Sequence, residues 1–152
     1  MTFYFEPAAV ERVRATNSVA LVIPNNAVTA LALDTNRYDS NGLHDVAVNN
    51  TRLTCKRAGL YVITGHAQFA ASAAGTLRIL GIRLNGNQAG GVLAAEQFAP
   101  VAVDFLKSVS TEYVLAVNDY LELYAFQDSG GNLNVLKVNQ FSPEFAMAMA
   151  GG

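Results

Sequence analysis

Between Gly59 and Ala71 the chain alternates with a period of two. Tyr61, Ile63, Ala67 and Phe69 fall on one face, and Leu60, Val62, Thr64, His66 and Gln68 on the other. That period predicts a strand with one face in a core. The C-terminal stretch alternates more sharply, with Phe141, Phe145, Met147 and Met149 opposite Ser142, Glu144, Ala146 and Ala148. A strand facing solvent normally carries charge on its outer side, so the alanines predict close contact with something, a neighbouring subunit among the candidates. Tyr120, Leu121, Leu123, Tyr124 and Phe126 are apolar on both sides of Glu122 and point the same way.

Turn-forming clusters separate these segments at Asn25-Asn26, Asp39-Ser40-Asn41-Gly42, Asn49-Asn50, Asn85-Gly86-Asn87, Asn118-Asp119 and Ser129-Gly130-Gly131-Asn132. The intervening lengths suit strands, and no helical stretch is long enough for a parallel crossover. The pattern predicts an all-β, two-sheet sandwich of antiparallel strands. Ala94-Ala95-Glu96-Gln97 could form one helical turn, but Gly90-Gly91 and Pro100 leave little room, and the segment reads as strand or loop. Residues 1–10, with Phe3-Tyr4-Phe5 before Pro7, read as an N-terminal arm to a single domain spanning 11–152.

Composition changes this picture in one respect. Charged residues are 14% of the chain and hydrophobic ones 51%, against about 25% charged in an ordinary soluble domain. A surface so short of charge is most cheaply hidden against copies of itself. The net charge of -2 and the lack of any Lys/Arg run argue against nucleic acid. No apolar run approaches the roughly 20 residues of a membrane span. Met1 to Val10 lacks the basic start and apolar segment of a secretory signal, so expression without one is expected.

The run Leu53-Thr54-Cys55-Lys56-Arg57-Ala58-Gly59-Leu60-Tyr61-Val62-Ile63-Thr64-Gly65-His66-Ala67 resembles the complement C1q-like domain family, part of the tumour-necrosis-factor-like jelly rolls. Asn36-Arg37-Tyr38-Asp39 with Gly42, Val114 to Leu123, and Phe141-Ser142-Pro143-Glu144-Phe145 resemble further segments of that family, in the family's order. Asn118 stands where the family has Gly before Asp119, which a turn tolerates because Asn also enters positive φ. Pro143-Glu144 also departs from the pattern, and Arg83-Leu84-Asn85-Gly86 is similar to bacterial and phage members. The resemblance implies a jelly roll of about ten strands, assembled as a tight trimer around a three-fold axis. It implies no particular ligand, because binding resides in loops.

Candidate chemistry is sparse. Cys55 with His44 and His66 would be the only nucleophile and base set, but an unpaired Cys in a strand is ordinarily a small buried hydrophobe. Were His66 to line a three-fold axis, three copies would meet as a metal or anion site. Asp34, Asp39 and Asp45 are the calcium candidates, although turns need the same residues. Asn49-Asn50-Thr51 matches a glycosylation sequon and reads as a turn. Arg78 and Arg83 are matched with Glu96 and Glu112 as candidate ion pairs. No spacing suggests paired catalytic carboxylates, so no enzyme and no cofactor is expected.

The sequence therefore reads as a non-enzymatic, homotrimeric structural or adhesive module. A virion surface is its expected place, as a capsid decoration protein or fibre head, with the arm docking on a capsid or fibre protein. His66, Gln68, Phe69, Tyr113, Phe145 and Met147 are the expected trimer contacts. The alternative is an extracellular or cell-surface module that recognises carbohydrate or protein through loops, with Asp39, Asn41 and Asn132 as candidate contacts.

Overall fold

The computed structural model describes residues 1–3 and 10–151. Most of the expected arm, positions 4–9, lies outside the described residues. The rest is all β and contains no helix among the described residues. Twelve strands form among the described residues, two more than the resemblance implies, because the count includes segments of two or three residues.

One seven-stranded sheet is built on β6 (Gly59–Phe69). Along one edge β6 pairs with β9 (Phe105–Leu115) from Gly59 opposite Leu115 to Phe69 opposite Phe105. Its other edge is shared. β12 (Glu144–Gly151) covers Leu60 to His66, and β11 (Leu133–Leu136) covers Gln68 and Phe69. Buried Ser142 marks the change of partner: its hydroxyl accepts the Gln68 N–H at 2.8 Å and donates to the Leu136 carbonyl at 2.7 Å. Beyond β12 lie β1 (Arg12–Thr16) and β4 (Thr35–Asp39), and beyond β11 lies β2 (Leu21–Ile23).

The second, five-stranded sheet has β10 (Tyr120–Gln127) between β7 (Arg78–Leu84) and the shorter β3 (Thr29–Ala30) and β5 (Arg52–Thr54). β8 (Val92–Phe98) pairs with β7, and the Ala94–Gln97 stretch is strand. All pairings in both sheets are antiparallel.

The inward faces follow the period of two. Tyr61, Ile63, Ala67 and Phe69 meet Leu80, Ile82, Leu121 and Leu123 in one core, joined by Phe145 and Met147 from β12. The sheets come close at Gly65, where an added Cβ would clash with the Leu123 side chain. The turns follow the sequence as well. Asn26, Asn49, Asn85, Asn118 and Asn139 all have positive φ, the left-handed region that Asn enters more readily than other side chains. Asn118 at φ 74° thus does the work of the family's glycine. β12 starts directly after Ser142–Pro143, which is a cis bond.

Candidate functional site

Since alternate residues face opposite ways, the outward side of the seven-stranded sheet follows from its register. Val62, Thr64 and His66 on β6 stand between Ala148, Ala146 and Glu144 on β12 and Glu112, Ser110 and Ser108 on β9. Gln68 and Leu106 extend the same face, and Arg14 of β1 lies between Ala146 and Tyr38 of β4. The alanines are too short to fill the sheet surface, and a concavity of about 280 Å³ results, lined by Arg14, Tyr38, Val62, Thr64, His66 and Glu144 among others.

Its floor is charged. The Glu144 side chain is 3% exposed and accepts Arg14 Nη2 at 2.7 Å and Arg37 Nε at 3.3 Å. The hydrogen bond to Glu144 raises the Arg14 pKa, against the opposing effect of burial. Arg37 is steadied by Gln140, whose carbonyl accepts Nη2 at 3.0 Å and whose side-chain Oε1 accepts Nη1. Arg14 Nε is buried without an acceptor among the described residues. An orphaned buried donor costs about 1–3 kcal/mol until something accepts its proton. Tyr38 and Val62 at its edge are exposed, as are Leu106 and Val114 elsewhere on the same face, and His66 Nδ1 lies 3.0 Å from Ser108 Oγ.

Of the six expected trimer contacts, only His66 and Gln68 are on this face. Phe69, Phe145 and Met147 are corrected: they point into the core, are at most 2% exposed, and have no surface to offer a partner. Tyr113 is opposite Tyr61, so it belongs to the inward side, but at the end of edge strand β9 it is 39% exposed. Arg14, Tyr38, Val62 and Glu144 are absent from the expected contacts, although the alternation already sets Val62 and Glu144 on the outward sides of their strands. The signal that finds them is phase, since they occupy the positions between, or across from, those that build the core.

The candidate loop residues are not brought together. Asp39 and Asn41 lie toward the Leu60 end of the sheet, whereas Asn132 precedes β11 beyond the Phe69 end. Asp39 accepts the backbone N–H groups of Asn41, Leu43 and His44, and Asn41 donates to Glu11 Oε1 at 3.1 Å. Asp45 accepts from Ala47 and Val48, and Asp34 from Ser18 and Thr35. Those hydrogen bonds hold both carboxyls below the usual range, against the opposing effect of burial, which for Asp34 is the largest single influence. Asp39 and Asp45 are thus engaged in their own turns, and Asp34 is engaged by Ser18 and Thr35. No group of three His, Cys, Asp or Glu among the described residues is placed to hold a metal.

Cys55, His44 and His66 do not contact one another. Buried Cys55 donates to the Arg57 carbonyl, and His44 faces Asn36 Oδ1 and the Asn50 carbonyl. The ion pairs also differ from expectation. Arg78 pairs with Asp128 and Arg83 with Glu122, because the β7–β10 register sets Gln127 and Glu122 opposite these arginines.

No protein-family model and no curated protein matches the sequence. Solved structures do resemble the fold. The chain is similar to murine APRIL at pH 5.0, with a TM-score of 0.69 at 8% identity over 93% of this chain and 99% of that one. It is also similar to the globular domain of zebrafish complement 1qA, with a TM-score of 0.58 at 14% identity over 91% and 93%. The chain thus has the two-sheet antiparallel jelly-roll fold seen in C1q- and tumour-necrosis-factor-like domains.

Proposed function

We propose that the chain is a non-enzymatic module that assembles as a homotrimer through the outward face of its seven-stranded sheet, and serves as a structural or adhesive component of a virion. The observation that carries the assembly is that face: Ala146 and Ala148 line its concavity, and Val62, Leu106 and Val114 stand exposed on the same side of the sheet. A partner subunit would cover the exposed apolar side chains of this face. The low charge content agrees with this reading.

The virion role, as a capsid decoration protein or fibre head, is supported by the similarity of Arg83-Leu84-Asn85-Gly86 to bacterial and phage members. Phe3, 74% exposed, supports an N-terminal arm that docks on a capsid or fibre protein. Deleting residues 1–10 should leave the trimer folded and abolish co-sedimentation with the particle whose capsid or tail genes neighbour this one. Unchanged co-sedimentation would count against the arm, and a neighbourhood of secretion genes against the virion. A second reading, a carbohydrate-binding module, is favoured by a polar cavity on the other sheet.

A further inference from the structure

A cavity of about 290 Å³ opens beside β5, between that strand and the loop from β4 to β5. Its lining includes Asp45, Asn49, Arg52, Thr54 and Lys56. The size is at the lower end of ligand pockets, which run from about 300 to 1,000 Å³, and suits one ring better than a length of chain. Arg52 and Thr54 are two residues apart on β5 and share its outward side. The Arg52 guanidinium lies 4.1 Å from the centre of the Tyr120 ring.

Stacking of this kind fixes the plane of the guanidinium and leaves its N–H edges free, the edges that bind a carboxylate in two-point fashion. Neither Arg52 nor Lys56 has a side-chain hydrogen bond or ion pair among the described residues. The nearby carboxylate, Glu122, is already engaged: Oε1 accepts from Arg83, and Oε2 accepts the Thr51 hydroxyl at 2.6 Å. Asp45 is the one anion on the cavity wall. Its Oδ1 is held by the N–H groups of Ala47 and Val48, and Oδ2 has no such partner. A ligand with a carboxylate for Arg52 and Lys56, and hydroxyls for Asp45, Asn49 and Thr54, satisfies all of these groups. An acidic peptide would supply the carboxylate but no ring hydroxyls for Asp45, Asn49 and Thr54.

We infer that this cavity binds the carboxylate-bearing ring of an acidic saccharide, a uronic acid unit, with Arg52 and Lys56 holding the carboxylate and Asp45 a hydroxyl. The site lies within one subunit and needs no trimer. Titration calorimetry of the full chain with trigalacturonate tests it, with galactotriose and a triglutamate peptide as comparisons. Saturable binding of trigalacturonate alone is expected, weakened at least tenfold by Arg52→Gln and several-fold by Lys56→Gln, with thermal midpoints unchanged. No binding of trigalacturonate, equal binding of galactotriose or triglutamate, or an Arg52→Gln protein that binds as well as the parent would overturn the inference. The mass in solution, read by light scattering on the same samples, is independent of all these outcomes, so failure here leaves the assembly reading standing.

Discussion

The two sheets turn unlike faces to the outside. On the five-stranded sheet the side chains cover their own surface. Tyr124 lies flat over Gly81, where an added Cβ would fall 2.3 Å from its ring, and is 2% exposed although it is on the outward side. Arg83 approaches that ring and pairs with Glu122, and Arg52 lies on Tyr120. The outward side of the seven-stranded sheet is covered less: Arg12 approaches the Tyr38 ring at 5.7 Å from its centre, but Tyr38 stays 45% exposed. Alanines, Thr64 and Ser110 leave it bare, and its one ion network, Glu144 with Arg14 and Arg37, is sunk at the floor of a concavity with an unsatisfied donor beside it. A face that closes on its own side chains needs no partner, whereas the bare face is the one proposed above for assembly.

The strongest way to break this contrast is to place the same bulky charge on each face. Ala146→Arg, on the bare sheet, should convert the trimer to a monomer by light scattering, and Ala95→Arg, opposite Gly81 on the covered sheet, should leave the mass unchanged. Equal effects of the two would erase the distinction. In the Ala146→Arg background, where folding is separated from assembly, Glu144→Gln should cost about 2–3 kcal/mol in urea unfolding. That is less than the roughly 3–5 kcal/mol of a fully buried pair, because Arg14 is 41% exposed and remains partly hydrated. Gly81→Val should cost about 1–3 kcal/mol in the same assay by lifting Tyr124 off the covered face. A neutral result would show that Tyr124 does not seal that surface.

The smallest effect concerns pH. Hydrogen bonds from Thr76 and Leu77 lower the Asp128 carboxyl from 3.8 to about 2, with Arg78 adding to the shift. A folded pKa below the unfolded one means stability that is present above pH 3.8 and lost as the pH falls toward 2. Asp128→Asn should flatten the acid limb of the stability curve in that window and leave the Arg14–Glu144 face unchanged. An unaltered acid limb would rule out this linkage.

How much of this is legible in the sequence depends on whether the cause is local. The period of two gives β6 and β12 and assigns Tyr61, Phe69, Phe145 and Met147 to one side. The Asn and Gly clusters give the turns, because positive φ is a property of single residues. The residues of the proposed interface are legible through the same period, but only when phase is ranked above bulk. Phe145 and Met147 are the most apolar residues of β12, and for that reason they belong to the core, while Ala146 and Ala148 form the outward surface. Partners set by register across long separations are not legible. Arg83 finds Glu122 across 39 residues and Arg37 finds Glu144 across 107, and nothing near either residue announces the other. The Arg52 cavity has the same origin, since Tyr120 comes under Arg52 only through the β5–β10 pairing.

The central claim is that the bare face of the seven-stranded sheet is covered by copies of the same chain. Multi-angle light scattering of the unmodified protein at low micromolar concentration tests it most directly. A single species of three times the 16.2 kDa chain mass is predicted, and a clean peak at 16.2 kDa would contradict the account.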